Sequence, residues 1–126
     1  MSSTQWKIVL TGLAFLLLFV LGYALSRTGK PYPLFVFTVH KLTTLGIIVY
    51  LGMTIFKLNQ VSPLSPLQIG IVVLTGLSFV ATMATGAMLS VDKTVPEVVH
   101  KLHQITPYLT MLSTSAVLYL LFVRPA

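Results

Sequence analysis

The sequence predicts an all-α fold, a four-helix transmembrane bundle made of two tandem-duplicated helical hairpins. Three observations predict it. Of the 126 residues 56% are hydrophobic in type and only 8% charged, at a mean hydropathy of +0.94, too little charge for a soluble domain of this size. Four apolar stretches are each long enough, at about 20 residues, to cross about 30 Å of hydrocarbon. The first and third of these stretches repeat one another in sequence.

The first stretch runs from about Trp6 to Ser26, the second from about Leu34 to Phe56, the third from about Leu67 to Val91 and the fourth from about Val95 to Val123. Each is expected to be a helix, because backbone polar groups in lipid need partners within their own segment. The links carry breakers: Arg27 to Pro33 with Gly29, Pro31 and Pro33, Asn59 to Pro66 with Pro63 and Pro66, and Asp92 to Thr94 ahead of Pro96. Such short links make sequential helices antiparallel neighbours. Lys7 and the apolar run after it resemble a signal peptide, but no small-residue cleavage site follows and the run is of spanning length, so a retained helix is expected. The four spans fill one membrane domain, with a first repeat over about residues 6–57 and a second over about 67–123.

The repeat is the most informative feature. Residues Val9 to Ser26 align with Val73 to Ser90 through Thr11/Thr75, Gly12/Gly76, Phe15/Phe79, Gly22/Gly86 and Ser26/Ser90, among others, more than two apolar helices share by chance. The second helices then align through Val39-His40-Lys41-Leu42 and Val99-His100-Lys101-Leu102, with a shorter loop in the second copy. Two copies of two spans insert the same way round, related by a pseudo-two-fold axis along the membrane normal. His40 and His100 are then expected at one depth, about two turns into their helices and inside the hydrocarbon edge. Ionisable residues at such depth are functional candidates.

Two imidazoles that face one another from opposite helices make an axial pair for a haem iron, so a single bis-histidine haem b is expected, with His40 and His100 as its ligands. Gly22 and Gly86 reach the same depth and leave notches for a porphyrin edge; packing of membrane helices is the ordinary use of such glycines. His103 lies three residues from His100 on nearly the same helix face. It either replaces His100 as the ligand or hydrogen-bonds a haem propionate, contacts a quinone or carries protons. A non-haem metal held by His40, His100 and His103 lacks nearby acids to complete its coordination. Lys41 and Lys101 repeat as faithfully as the histidines, either snorkelling to the interface or neutralising propionates. Met83, Met88 and Met111 read as packing residues, with Met88 near enough in depth for His–Met ligation to stay open. Pro107 frees the carbonyl of His103 and predicts a kink there, and Asp92 and Glu97 are expected to cap the fourth helix and pair with Lys93 or Lys101.

The absence of cysteine excludes disulfides, iron–sulfur clusters, thiolate zinc and covalent c-type haem. The net charge of +6 comes from Lys and Arg near span ends, where phospholipid headgroups are the counterions, so nucleic acid is not an expected partner. Lys7, Lys57 and Arg124 mark one side, and Arg27, Lys30 and Lys93 the other, with Lys41 and Lys101 behind them. The positive-inside rule sets the Arg27 side in the cytoplasm, a preference that vanishes if Lys41 and Lys101 have a functional partner. Small residues left over on the first and third helices offer a surface for a homodimer.

The segment Val39-His40-Lys41-Leu42-Thr43-Thr44-Leu45-Gly46 resembles the opening of a haem-binding helix in cytochrome b561-type membrane proteins, where a His-Lys pair precedes a glycine by about a turn. The fourth helix, from His100-Lys101-Leu102, is similar in the same way. The resemblance covers the second and fourth helices and implies a four-helix, b-haem electron-transfer protein with His40 and His100 as axial ligands. Those proteins commonly hold two haems, whereas this chain has no histidine near the opposite face and ligates at most one. A six-coordinate iron favours electron transfer, with a quinone or a redox partner protein as the expected partner and superoxide as another acceptor. Two other classes stay open: a colourless transporter or assembly subunit whose histidines form a proton-sensitive polar site, and a haem storage or handover protein with exchangeable haem.

Overall fold

The computed structural model describes residues 2–91 and 94–123, and among them it holds helices and no strand. Helix α1 spans Ser3–Thr28, α2 Leu34–Val61, α3 Pro66–Leu89 and α4 Glu97–Leu118, and a π-helical turn, Tyr119–Val123, follows α4. The expected all-α class and its four helices are therefore present. All four helices are long and apolar enough to cross a membrane. The chain divides between Pro63 and Leu64 into two compact units, and each unit is a hairpin: α1 packs on α2, and α3 on α4.

Helices α1 and α3 start alike. Ser2 and Ser65 are their N-caps, and each forms a reciprocal capping box with a glutamine three residues on, Gln5 and Gln68. The Ser65 hydroxyl accepts from Gln68 N at 3.2 Å while Gln68 Oε1 accepts from Ser65 N at 2.8 Å. Two orphan donors are thereby satisfied at a helix start. The cap motif sets α1 several residues ahead of the apolar run that begins near Trp6. The end of α1 is set by Gly29, whose φ of 69° lies where a side chain is strained.

Helix α2 extends beyond the expected limit at Phe56 and takes in Asn59 and Gln60, which the composition had assigned to the link. Neither residue breaks a helix, and the stop is Ser62, held extended at φ −144° and ψ 110° by the proline after it. Helix α4 starts at Glu97, two residues later than expected, because Pro96 acts as the N-cap and excludes Val95 from helical backbone. It continues unbroken through Pro107. Glu97 sits in the first turn and pairs with Lys101 at 3.7 Å; the expected roles of Asp92, Lys93 and Arg124 fall outside the described residues.

The two hairpins close differently. The first buries Phe15 and Leu25 of α1 and Ile47 and Leu51 of α2, with Thr11 as its buried hydroxyl. The second packs more closely and buries Thr75, Ser78 and Thr85 of α3 with Thr110, Ser113 and Thr114 of α4. Most of these hydroxyls donate to a carbonyl of their own helix, Thr75 to Ile71 at 2.8 Å and Ser78 to Leu74 at 2.9 Å among them, so they cost nothing in an apolar setting. One pair crosses the hairpin, Thr82 Oγ1 to Thr110 Oγ1 at 3.1 Å. Large apolar side chains such as Leu13, Leu16, Leu77, Val80 and Leu112 lie exposed instead, the distribution of a surface suited to hydrocarbon.

Buried Gln68 also ties the start of α3 to the π-helical turn, donating from Nε2 to the Leu120 carbonyl at 3.3 Å. Gln5 has the same cap bonds at an exposed helix end. Gln68→Ala is therefore expected to destabilise the protein by about 1–2 kcal/mol, and Gln5→Ala by less than half as much. Thermal unfolding in detergent measures both, and equal shifts would show that the tie to Leu120 contributes nothing.

Candidate functional site

Each hairpin seats one imidazole on a glycine. In the first, a methyl group built at Gly22 of α1 would lie 3.4 Å from Cε1 of His40 on α2. In the second, a methyl built at Gly86 of α3 would lie 2.9 Å from Cε1 of His103 on α4, closer than real side chains allow. The expectation set Gly86 beside His100. The structure sets it beside His103, and His100 is exposed in the first turn of α4. The glycine notches therefore hold imidazole rings, where a porphyrin edge was expected.

The start of α4 explains the change. With Pro33 and Pro96 as N-caps, His40 is the seventh residue of α2 and His103 the seventh of α4. A signal for this was present in the sequence: the spacing from Pro33 to His40 equals that from Pro96 to His103. The spacing between the two capping serines, Ser2 and Ser65, is also the spacing between His40 and His103. The conspicuous His-Lys-Leu match pointed one turn too early.

His103 is held by more than its glycine. Its Nδ1 lies 3.0 Å from Thr85 Oγ1 and 3.1 Å from the Thr82 carbonyl oxygen. A carbonyl only accepts, so Nδ1 carries the proton and donates to Thr82. The Thr85 hydroxyl donates to the Ala81 carbonyl at 2.9 Å, which leaves its oxygen to accept from the same N–H. The neutral ring is thus the Nδ1–H tautomer with its lone pair on Nε2, the arrangement in which an imidazole coordinates a metal through Nε2. His40 has a different setting. The residues one and four before Gly22 are Leu21 and Leu18, where Gly86 has Thr85 and Thr82 before it.

The repeated lysines part company. Lys41 places Nζ 4.9 Å from the centroid of the Phe37 ring, which stacks on Tyr32 at 5.7 Å. Lys101 pairs with Glu97 and is exposed. Met83 and Met88 are exposed as well. Among the described residues no group of three or more His, Asp or Glu side chains gathers as a metal site. Comparison of the chain with protein-family models, with curated proteins and with solved structures finds no match.

Each seat presents an imidazole with no carboxylate gathered around it among the described residues, a donor that suits a haem iron as well as a bare metal ion. The two glycine seats make a sharp contrast. Ala for Gly in a helix is worth up to about 1 kcal/mol in propensity, and at Gly22 the methyl has van der Waals room. At Gly86 it drives the ring off Thr82 and Thr85. Gly22→Ala is expected to leave thermal stability unchanged or raised, and Gly86→Ala to lower it by about 1–2 kcal/mol. The imidazole ¹⁵N signals of His103 should lose the Nδ1–H signature in the second variant only; an unaltered tautomer would show that the glycine does not position the ring.

Proposed function

We propose that the protein is an integral membrane b-type cytochrome with His40 and His103 as its haem-ligating histidines. In this reading it exchanges electrons with a quinone or a redox partner protein. The observation that carries it is the setting of His103, whose Nδ1 lies 3.0 Å from Thr85 Oγ1 and 3.1 Å from the Thr82 carbonyl oxygen. Ligating histidines are oriented in this way by a carbonyl or carboxylate behind them. The apolar character and length of the four helices support the membrane setting, and the resemblance of the His40 segment to cytochrome b561-type helices supports the cofactor. His103 replaces His100 as the second ligand here because His100 is exposed and lies a turn nearer the helix start.

Bound haem, held by His40 and His103, would supply one-electron exchange. The chain's own residues do the rest. Gly22 and Gly86 let the rings approach, while Thr82 and Thr85 hold the proton on Nδ1 of His103.

A second reading is favoured by the hydroxyls around His103. Its Nδ1 lies 3.0 Å from the Thr85 hydroxyl and 3.1 Å from the Thr82 carbonyl, and the Thr82 and Thr110 hydroxyls lie 3.1 Å apart beside them; a colourless bundle could use that group as a proton-sensitive polar site. Absorbance spectra of the detergent-purified protein, oxidised and dithionite-reduced, separate the two. The cytochrome reading expects a sharp reduced α-band of b type at about one haem per chain, and a featureless spectrum after expression with ample haem ends it. His40→Ala and His103→Ala are expected to abolish the six-coordinate spectrum and His100→Ala to keep it; the reverse pattern at 100 and 103 would return the ligand to His100. Thr85→Val, which keeps the Thr82 carbonyl, is expected to weaken haem binding by about tenfold, measured by transfer to an apo-haem acceptor.

A further inference from the structure

Two hydroxyls inside the second hairpin, those of Thr106 and Thr114, have no hydrogen-bond partner among the described residues, and both oxygens are shut off from the surface. Thr114 is only 2% exposed. A buried hydroxyl on a helix ordinarily donates to the carbonyl four residues before it, as Thr75 and Thr110 do here. Thr114 finds that carbonyl taken. The Thr110 carbonyl accepts from the Ser113 hydroxyl at 3.2 Å and, as part of the helix, from the N–H of Thr114 itself, which uses both its lone pairs.

Thr106 stands beside a second unfilled group. Pro107 has no N–H, so the His103 carbonyl, in the same turn as Thr106, lacks its usual helical donor. The first hairpin supplies the comparison: with His40 matched to His103, Thr43 takes the place of Thr106, Thr44 that of Pro107 and Leu51 that of Thr114. Thr43 donates to the Val39 carbonyl at 2.7 Å, and Leu51 is buried. A hairpin of this design therefore packs without hydroxyls left over. The second copy departs from it by burying two, a loss of stability that valine in their place would avoid.

We propose that these positions bind internal water, one molecule by the Thr106 hydroxyl and the His103 carbonyl, and another at Thr114. Water suits them because it accepts from a hydroxyl and donates to a carbonyl at once, and internal waters occupy sites with several such partners. The surroundings are polar: Thr106, Thr110 and Thr114 follow one another at single-turn spacing on α4, and Thr82 of α3 meets Thr110 at 3.1 Å. The two sites carry hydration from the turn of His103 to Thr114, 11 residues on, about 16 Å along the helix. A hydrated interior of that reach is the setting in which an intramembrane histidine exchanges protons.

The proposal rests on the reading of α3 and α4 as membrane-spanning and does not involve haem. It is tested on the full chain in phosphatidylcholine bilayers by water-edited solid-state NMR, which measures how fast magnetisation passes from water to each side chain. Thr106 and Thr114 are expected to receive it at least about fivefold faster than the buried Ile47 and Leu51 of the first hairpin. Thr106→Val and Thr114→Val, which keep the shape of the side chain, are expected to bring the substituted position down to the rate of Leu51. Equal rates at Thr114 and Leu51 in the wild type, or fast transfer that survives both substitutions, would overturn the proposal. A dry interface leaves the absorbance test of the cytochrome untouched, and a featureless absorbance spectrum leaves the water test untouched, so the two readings fail separately.

Discussion

Helices with an apolar exterior gain nothing by exchanging hydrocarbon for one another, so what holds them together must be close approach and hydrogen bonding. The second hairpin meets that constraint with small and hydroxyl-bearing residues along the facing sides of α3 and α4. The hydroxyls bond to their own helices and, at Thr82 and Thr110, across the gap. The same closeness makes the imidazole seat: His103 reaches Gly86 because the backbone there presents no side chain to meet it. The polar face of the ring then falls on a carbonyl and a hydroxyl that the neighbouring turn of α3 already offers. Packing and site are one arrangement.

The duplicated hairpins are not equivalent in chemistry. The apolar framework of α1 and α3 matches at many positions, yet the residues preceding the two seat glycines are leucines in one copy and threonines in the other. One imidazole is therefore fixed in tautomer and orientation by hydrogen bonds, while the other sits on a helix whose matching positions are aliphatic. The asymmetry also concentrates the hydroxyl-linked proton sites on one hairpin.

Charge is divided along the chain in a complementary way. Within the first hairpin His40 lies near the start of α2 and Lys57 near its end, so the imidazole seat and this lysine occupy opposite ends of one helix. Within the second, the acid among the described residues, Glu97, is taken up by Lys101 at the helix start.

Composition, length and hydropathy pattern were enough to establish the all-α class, the number of helices and their approximate limits, because an apolar stretch of spanning length has few ways to satisfy its backbone. The three histidines and the glycines at 22 and 86 also stood out, since ionisable and notched positions are rare in such a chain. The capping boxes at Ser2 and Ser65 were legible as S-x-x-Q patterns, but apolar runs drew the boundaries inward. Which histidine of the second copy meets Gly86 was decided only by the fold. His100 and His103 differ by about 60° around α4 and by about 4.5 Å along it, a difference smaller than the uncertainty in where a helix begins. Pro96 set that beginning, the close α3–α4 contact set the rotation, and together they turned His103 onto the glycine and left His100 outside.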